Sequence, residues 1–450
     1  MLGTEVPSTE YAIGSFGDHY KRGLAVKHNR IVLRWWAEPT LLLIAAVAQG
    51  QEAPREWVEA ATGHRVVRLS EEAGTGSLYF HQQAYTASGD KLFVTTRGGL
   101  ATIDLTTLGK SACKNEVIGE GRAGAPIVGK KLRQVFYVSN GSIFATHLDT
   151  HATREVVKLP PGYSGASGLA INSDETLLAS TGRDPKAAEL AGKTLPASPE
   201  AGRGGKRGKS DGSDRSMVLF TVNIASGEIK PVHYEMAWLN HTQFSPTDPQ
   251  QLLFCHEGTW QDVDRVWTIR TDGSGLKLMH PRTMPNEIAG HEFFSADGKM
   301  VWYDLQTPRS SEFWLAGVDL KSGQRTRYKL ERREWSVHYN QSPDGRLFAG
   351  DGGGPSSVAN RGPGNVPLAA PGNGQWIYLF TPPAELETIE AGGEKIQVGK
   401  MRAERLVDLA RHDYRLEPNV SFTPDGRWIV FRANMHGATH TYAVEVAQGK

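Results

Sequence analysis

The chain has 450 residues, of which 22% are charged and 39% hydrophobic, with 50 glycines and 24 prolines. This composition is typical of a globular protein with a sizeable core. Fifty Lys and Arg residues against 49 Asp and Glu residues leave a formal net charge of +1, which argues against a nucleic-acid partner because phosphate binding needs a basic surface. The two cysteines, Cys113 and Cys255, are too few for a disulfide framework or a zinc cluster, and whether they pair is left open. We expect any bound metal to have nitrogen and oxygen ligands.

Residues 1–55 are expected to form an N-terminal extension that contains a signal peptide or short anchor at about residues 30–48. Arg30 and Arg34 precede an apolar run that ends in Ala46-Val47-Ala48, a pattern typical of a signal peptide. The run is too short for a membrane span, so no stable insertion beyond an anchor is expected. The prediction is a periplasmic or secreted protein, or a cytoplasmic one if the run is instead a buried core segment.

Residues 60–450 are expected to form a single domain built from a repeat. A turn resembling Ser-Pro-Asp-Gly recurs at intervals that are mostly about 40 to 50 residues, the usual length of one propeller blade. The seven copies lie at residues 86–89, 128–131, 172–175, 245–248, 295–298, 342–345 and 423–426. A β-branched or aromatic run and then further strand segments follow each turn. Four short strands in each of seven repeats predict an all-β protein with the fold of a seven-bladed β-propeller.

The ends of the repeat array predict how the propeller closes. The last repeat ends at its third strand, Thr439–Val446, while an unassigned strand, His64–Leu69, precedes the first. We expect these two segments to pair and close the ring, because closure removes exposed sheet edges. Two long intervals contain loops, at residues 185–214 and 352–374. Helical periodicity, phosphate-binding glycine loops and a Gly-x-Ser-x-Gly elbow are missing from the sequence, which disfavours helical folds, nucleotide binding and serine hydrolase chemistry.

The residue four positions before each turn occupies an equivalent place in every blade, near one mouth of the central channel. These residues are Gln82, Gly124, Gly168, His241, His291, His338 and Asn419. Three consecutive blades thus place a histidine at one register, which suits a metal site, a general base, or both. Glu417 can add a carboxylate. The alternative is that each histidine only hydrogen-bonds a neighbouring blade.

Arginine and aromatic residues offer further candidates. Arg183 and Arg215 flank the first long loop and can bring guanidinium groups to the same mouth, where they would suit a carboxylate ligand; the alternative is that they are solvated. Four aromatic residues at strand ends can stack on sugar rings or simply pack between blades. They are Tyr79, Phe80, Trp238 and Trp335.

Several stretches resemble the oligogalacturonide lyase family, seven-bladed propeller enzymes that degrade pectin fragments. The resemblance extends from about residue 60 to the end of the chain, and its most specific part is the Phe-Cys-His-Glu-Gly stretch. The similar segments are Tyr79–Gln82, Trp238–His241, Phe254–Gly258, Asp262–Trp267, Gly290–Phe293, His338–Gly345, Gly350–Gly352 and Ser421–Asp425.

The resemblance implies roles for individual residues. His241 falls on the family's proposed catalytic base, His291 falls on a metal ligand, and Arg183 is a better match than Arg215 to the family's arginine. The family's last-blade ligands, a glutamine and two histidines, are replaced here by Tyr414, Glu417 and Asn419. We expect a divalent metal, with Mn²⁺ favoured and Ca²⁺ as the alternative. We also expect particular residues to contact the substrate. The expected ligands are His291, His338, Glu417 and Asn419, and the expected substrate contacts are Gln82, His81 and Tyr414.

The implied activity is that of a carbon–oxygen lyase that cleaves short uronate oligosaccharides, oligogalacturonides above all, by β-elimination. In this reaction the base removes the C5 proton while a cation or an arginine neutralises the adjacent carboxylate. Two alternatives remain open. One is a TolB-like propeller without enzymatic activity that binds a protein or glycan in the cell envelope, and the other is a lyase for another acidic glycan. The sequence leaves the oligomeric state open.

Overall fold

The computed structural model describes residues 53–163, 167–191, 216–258, 260–261, 263–354, 357, 375–391 and 393–448. All of them belong to one compact unit that spans residues 50–450. The expected signal peptide or anchor lies outside the described residues, as does most of each predicted long loop, so the domain boundaries stay a prediction. Within the described part of the chain, no helix has the length and apolar character needed to cross a membrane.

Seven sheets follow one another along the chain and confirm the predicted β-propeller. We number them as blades 1 to 7. Blade 1 contains Lys91–Thr95, Gly99–Asp104 and Asn115–Glu120; blade 2 contains Gly124–Gly129, Gln134–Ser139, Ser142–His147 and Thr153–Lys158; blade 3 contains Ala170–Ile171, Leu177–Arg183, Met217–Asn223 and Ile229–Glu235. Blade 4 contains Trp238–Phe244, Gln251–Glu257, Val266–Arg270 and Lys277–Leu278; blade 5 contains Ile288–Phe294, Met300–Gln306, Phe313–Asp319 and Arg325–Leu330. Blade 6 contains Tyr339–Gln341, Phe348–Gly350, Trp376–Thr381 and Arg402–Asp408; blade 7 contains Ser421–Phe422, Trp428–Ala433 and His440–Glu445.

The ring closes as the sequence predicts. The strand Arg65–Arg68 pairs antiparallel with His440–Glu445 in blade 7, and a further strand, Glu56–Val58, pairs with its outer side. The closing blade therefore has five strands rather than the expected four. Arg65–Arg68 thus supplies the fourth strand of blade 7, and one sheet holds both ends of the described chain together.

Two other blades also depart from four strands. In place of an inner strand, blade 1 has two isolated bridges, from Tyr85 to Leu92 and from Gly76 to Thr95. Blade 5 has six strands, because a hairpin formed by Glu387–Ala391 and Glu394–Lys400 is inserted between the third and fourth strands of blade 6 and adds to blade 5. Its second strand runs parallel to Arg325–Leu330. Two short helices lie outside the sheets, an α-helix at Ala187–Leu190 and a 3-10 helix at Arg332–Glu334.

Apolar side chains fill the space between neighbouring blades. Successive side chains of a strand point to opposite faces, and in each blade both faces are buried against a neighbour. Between blades 4 and 5, for example, Leu253, Val301 and Ala316 are fully buried in one cluster. This packing holds the inner strands in a fixed ring around the channel.

At the turn end of the inner strands, carboxamide side chains connect neighbouring blades. We call Gln83, Gln243, Asn340 and Gln341 the amide ring. Gln83 Nε2 donates to the Val128 carbonyl at 2.7 Å, and Gln243 Nε2 donates to the Glu292 carbonyl at 2.7 Å. The Phe422 amide donates to Asn340 Oδ1 at 3.0 Å, and the Ala296 amide donates to Gln341 Oε1 at 2.9 Å. The amide ring lines a cavity of about 390 Å³ at this end of the channel.

Candidate active site at the channel mouth

The backbone of the inner strands positions the histidines. In blades 4 and 5 the pairing with the second strand shifts at His241 and at His291, so each lies in a β-bulge. Both residues have a left-handed backbone with φ of +50°, which is costly for a residue other than glycine and re-aims its side chain. The same conformation recurs at Gly168 and Asn419, and at Ala125 next to Gly124 in blade 2. The register found in the sequence therefore corresponds to a recurrent strained position.

The structure brings the three predicted histidines together. The rings of His241 and His291 are 6.1 Å apart between centroids, and those of His291 and His338 are 4.7 Å apart. The Tyr79 hydroxyl lies between two of them, 3.5 Å from His241 Nε2 and 3.2 Å from His338 Nε2. Tyr79 therefore contacts the cluster through its hydroxyl group, in addition to any stacking on a sugar.

His338 is fixed by hydrogen bonds from both sides of its ring. Its Nδ1 lies 2.7 Å from Asp351 Oδ2, and both side chains are completely buried. The same carboxylate oxygen accepts the Asn419 amide at 3.1 Å, and the Tyr414 hydroxyl donates to the Asp351 carbonyl at 2.7 Å. With Nε2 facing Tyr79, both nitrogens of His338 are already engaged, so this residue holds the cluster in place.

A second set of contacts surrounds His241. Its Nδ1 lies 3.3 Å from Glu292 Oε1, and its Nε2 lies 3.9 Å from Glu257 Oε1. Glu292 is completely buried, and neither of its carboxylate oxygens accepts a hydrogen bond from the described residues. His241 is thus an imidazole between two carboxylates, which favour the positive charge that the ring acquires when it takes up a proton.

Arg265 supplies the compensating charge. Its Nη1 lies 2.8 Å from Glu257 Oε2, in an ion pair without the alignment of a hydrogen bond, and the residue is only 1% exposed. Burial by itself lowers the pKa of Arg265, but the facing Cys255, Glu257 and Glu292 raise this pKa above its ordinary value. Burial alone would raise the pKa of Glu257, yet Arg265 and His241 hold it below its ordinary value. Both groups are therefore charged at neutral pH.

Trp260 joins these two halves of the site. Its ring centroid is 4.2 Å from the Arg265 guanidinium carbon and 5.1 Å from the His291 ring. A Cβ atom at Gly290 would lie 2.5 Å from this ring, so only glycine allows the tryptophan to pack here. Trp260 and His291 line a cavity of about 220 Å³ together with Trp335, Tyr414 and Glu417. The cavity has an aromatic wall, one imidazole and one carboxylate, Glu417, a lining typical of a small-molecule site.

The four expected metal ligands fall into two pairs. His291 Nδ1 is buried without a hydrogen-bond partner among the described residues, and the Glu417 side chain is 46% exposed at the same cavity; these two fit a divalent cation. His338 is held by Asp351, and Asn419 is held on both sides, because its Oδ1 accepts the Phe80 amide and its Nδ2 donates to the Glu417 carbonyl. Asn419 therefore offers no free donor atom. His338 Nε2 lies 3.7 Å from Glu417 Oε2 but 3.2 Å from the Tyr79 hydroxyl, so His338 joins Glu417 on a cation only if Tyr79 gives up this contact.

The expected substrate contacts differ in their placement. Tyr414 lines the cavity although its hydroxyl is committed to Asp351. Gln82 folds back on its own segment, where its Oε1 accepts the Tyr79 amide at 3.2 Å. The His81 ring lies 5.6 Å from that of His241, and burial, helped by His241 and His338, lowers the pKa of His81 well below its ordinary value. His81 is therefore a neutral neighbour of His241.

The structure describes one of the two predicted arginines. Arg183 is exposed at the end of its strand in blade 3, and no described contact joins it to the histidines; Arg215 lies outside the described residues. Arg432 lies closer, since its Nε donates to the Glu417 carbonyl at 2.8 Å. Sequence reasoning missed Arg265, Glu257, Glu292 and Asp351. The available signals were that Glu292 directly follows His291 and that Glu257 and Arg265 lie in the stretches that carry the resemblance.

Together, the closed seven-bladed ring and the imidazole–carboxylate–guanidinium cluster at its mouth define a β-propeller with an acid–base site. The family model described as oligogalacturonate lyase matches residues 53–449. The chain belongs to the oligogalacturonate lyase family and is a lyase of that type, which confirms the resemblance found in the sequence and disfavours the non-enzymatic alternative.

Individual relatives agree with this assignment. The chain is 24% identical over 414 residues to the oligogalacturonide lyase of Pectobacterium atrosepticum, covering 89% of this chain and 98% of that protein. It is 28% identical over 235 residues to the oligogalacturonate lyase of Dickeya dadantii, a match that spans 51% of this chain and about half, 55%, of the relative.

Two solved structures have the same fold. An oligogalacturonate lyase in complex with manganese overlaps with a TM-score of 0.67 at 22% identity, and the lyase of Vibrio parahaemolyticus overlaps with a TM-score of 0.65 at 20% identity. In both cases the match covers 87% of this chain and 96% of the other.

Proposed function

We propose that the protein cleaves short oligogalacturonides by β-elimination, with His241 as the base. The observation that carries this proposal is the placement of His241, in a strained bulge at the channel mouth and between the carboxylates of Glu292 and Glu257. An imidazole is suited to removing a carbon-bound proton. The relatives' names support the substrate class.

The reaction follows from the chemistry of a uronate. His241 takes the proton from C5, the electrons of the C5–H bond form the double bond between C4 and C5, and the C4–O bond breaks. The departing oxygen takes up a proton and becomes the hydroxyl of the second product. The carboxylate on C5 must carry extra negative charge in the transition state, so a positive environment at that carboxylate lowers the barrier.

The substrate carboxylate needs a positive partner, and the cluster around His241 has none to spare. The guanidinium of Arg265 is buried behind Trp260 and is offset by Glu257 and Glu292, so it holds those carboxylates rather than the substrate. We further propose that His291 and Glu417 hold a divalent cation at the cavity, with Mn²⁺ favoured and Ca²⁺ as the alternative. When bound, the cation supplies charge neutralisation. Two protein ligands predict weak affinity. Arg183 and Arg215 stay candidates for binding the substrate carboxylate.

Glu292 has a positioning role in this proposal. A carboxylate beside Nδ1 keeps the proton on that nitrogen and leaves Nε2 free to act as the base. The complete burial of Glu292 and the 3.3 Å approach of its Oε1 to His241 Nδ1 support this role. Glu292 also complements the imidazolium that forms after proton transfer.

The N-terminal pattern supports a further proposal, that the protein is exported to the periplasm or secreted. Mass spectrometry of the N-terminus after expression with the full chain would show cleavage near residue 48. An intact N-terminus on a cytoplasmic protein would contradict export.

The activity is tested by incubating the protein with trigalacturonate and recording the ultraviolet absorbance of the conjugated product. Mannuronate oligomers serve as the control for another acidic glycan. Faster turnover of the mannuronate oligomers would overturn the substrate assignment, and saturable binding without any product would overturn the lyase assignment.

The cation is tested separately by calorimetry on chelator-treated protein, comparing wild type with Glu417→Gln. We expect weak Mn²⁺ binding that the substitution weakens further. No binding of Mn²⁺ or Ca²⁺ at millimolar concentration would leave arginine as the carboxylate neutraliser.

A further inference from the structure

One group of three metal-binding side chains converges at the mouth, and it is not the group expected from the sequence. Among the described residues, donor atoms of His241, Cys255 and Glu257 all lie within 4.8 Å of one another. Cys255 and Glu257 are two positions apart on one strand of blade 4, so their side chains point to the same side. The register of blade 4 places Cys255 opposite Asn240, next to the bulge of His241.

The chemistry of these donors selects a particular class of ion. A thiolate, an imidazole and a carboxylate together suit Zn²⁺ or a similar thiophilic ion, whereas Mn²⁺ and Ca²⁺ prefer oxygen ligands. We propose that His241, Cys255 and Glu257 form a binding site for a thiophilic divalent ion such as Zn²⁺, and that its occupation inhibits the lyase. The inhibitory half of this proposal rests on the proposed function of His241 as the base.

The charges around the site balance when the ion is bound. Two carboxylates, Glu257 and Glu292, face the single guanidinium of Arg265, which leaves one negative charge in excess. Binding breaks the S–H bond of Cys255, releases its proton to solvent and forms a metal–sulfur bond, without any change of oxidation state. The added thiolate and the divalent ion together cancel the excess. The buried cluster is then electrically neutral, which is the favourable state at low dielectric constant.

The contacts already present leave the required atoms accessible. Arg265 engages Glu257 through Oε2, while Oε1 is the oxygen that faces His241 Nε2 at 3.9 Å. Glu292 lies 3.3 Å from Nδ1 of the same ring, which is the arrangement of a carboxylate that orients a metal-binding histidine. The side chains of His241 and Glu257 are each 11% exposed and Cys255 is completely buried behind them, so an ion from the mouth reaches the imidazole and the carboxylate before the sulfur.

The same imidazole cannot bind an ion and accept a proton. An ion on His241 Nε2 removes the free electron pair that attacks the C5 proton, and an ion on Glu257 changes the field that favours imidazolium formation. Inhibition is therefore expected to lower kcat and to be reversed by a chelator. It differs from the effect of Mn²⁺ at His291 and Glu417, which is expected to support activity.

The test uses Co²⁺ as a spectroscopic substitute for Zn²⁺ and the two cysteines of the chain as a matched pair. Cys113 and Cys255 are both buried and free, but only Cys255 lies at the site. On chelator-treated protein, wild type and Cys113→Ala are expected to show the near-ultraviolet charge-transfer band of a cobalt–thiolate bond, and Cys255→Ala is expected to lack it. Zinc inhibition of trigalacturonate cleavage should weaken by about 10- to 100-fold or more in Cys255→Ala, since a ligand is lost. Each variant is compared with its own zinc-free rate.

Cys255→Ser, which preserves the side-chain volume better, replaces the alanine variant if circular dichroism shows that the latter is not folded. Absence of the band in wild type, or its persistence without Cys255, overturns the site. A cobalt–thiolate band with no zinc inhibition overturns the inhibitory role alone. A protein inactive on trigalacturonate contradicts the proposed function, while the cobalt spectrum still decides the metal site.

Discussion

The two ends of the inner strands differ in whether their buried polar groups are hydrogen-bonded. In the amide ring, Gln83 and Gln243 each donate to a backbone carbonyl of the next blade. At the mouth, His241 Nδ1, His291 Nδ1 and both oxygens of Glu292 have no hydrogen-bond partner among the described residues. Buried polar groups are normally paired because an unpaired one is costly. The difference indicates that the amide ring stabilises the fold, whereas the mouth keeps polar groups available for a ligand and for proton transfer.

The largest expected effect at the mouth comes from His241→Ala. Removal of the base should lower kcat by about 10²–10⁴-fold, with little change in KM because the cavity and its charges remain. His147, on blade 2 and away from the mouth, provides the control through His147→Ala. Steady-state kinetics on trigalacturonate measure both. Turnover of the His241 variant near that of wild type would show that the base is another residue.

Glu292→Gln tests whether the mouth positions its base. The substitution keeps the shape of the side chain but removes the charge beside His241 Nδ1. We expect kcat to fall by about 10- to 100-fold, the usual effect of losing a residue that orients a functional histidine, with KM nearly unchanged. Glu292→Asp should recover part of the loss. The matched control is Glu287→Gln, because Glu287 is another completely buried glutamate of blade 5 that pairs with a histidine, His280, at 3.0 Å. Equal losses of kcat in the two variants would indicate a structural effect only.

Gln83→Leu tests the other end of the comparison. The Val128 carbonyl would lose its side-chain partner, which should reduce the free energy of unfolding by about 1–3 kcal/mol, measured by urea denaturation, with kcat unchanged. Gln324, an exposed residue of blade 5, gives the control variant Gln324→Leu, for which a smaller loss is expected. A large loss of activity without a loss of stability would contradict the conclusion that the amide ring serves stability and the mouth serves activity.

A smaller effect, on the pH dependence of the free energy of unfolding, is expected from Asp304, which lies beneath the mouth. Burial raises the pKa of this carboxyl to about 7, although the Trp335 Nε1–H donates to it at 2.7 Å. The folded state therefore binds the proton more tightly than the unfolded state, whose pKa is about 3.9. The stability that the neutral carboxyl contributes is present below about pH 4 and is lost as pH rises towards 7.

Asp304→Asn should remove that dependence, so the variant should gain stability relative to wild type as the pH is raised from 4 to 8. Urea denaturation at several pH values measures it. A constant difference between the two proteins across this range would show that Asp304 titrates normally.

Much of the fold was predictable because its signals are local. Each blade can be recognised in the sequence by a turn and the strand that follows it. The pairing of Arg65–Arg68 with blade 7 was predictable because the last repeat lacks a fourth strand and an unassigned strand precedes the first repeat. The hairpin at residues 387–400 was not predictable. It lies in sequence within blade 6 but pairs in parallel with blade 5, and such a long-range pairing leaves no periodic pattern.

The site was predictable only in part. The repeat register identified His241 and His291, since the bulge position recurs between blades. Glu292 was missed because its importance depends on that bulge, which changes where its side chain points relative to regular alternation. Arg265 was missed because an arginine is normally solvated, and a sequence does not reveal that carboxylates compensate a buried one. His338 shares the register, but a partner 13 positions away, Asp351, gives it another role.

The inserted hairpin acts as an external brace between two blades. Its strand at Glu394–Lys400 is covalently part of blade 6 but hydrogen-bonded to blade 5 along Arg325–Leu330, so neither blade can tilt without straining the other. His291 belongs to blade 5 and His338 precedes the first strand of blade 6, whereas His241 belongs to blade 4, whose described contacts include no such brace. In hydrogen exchange, the amides of blades 5 and 6 should open as one cooperative unit. His241, the proposed proton acceptor, thus lies on a blade that side-chain contacts join to blade 5, whereas blades 5 and 6 also share a hydrogen-bonded strand.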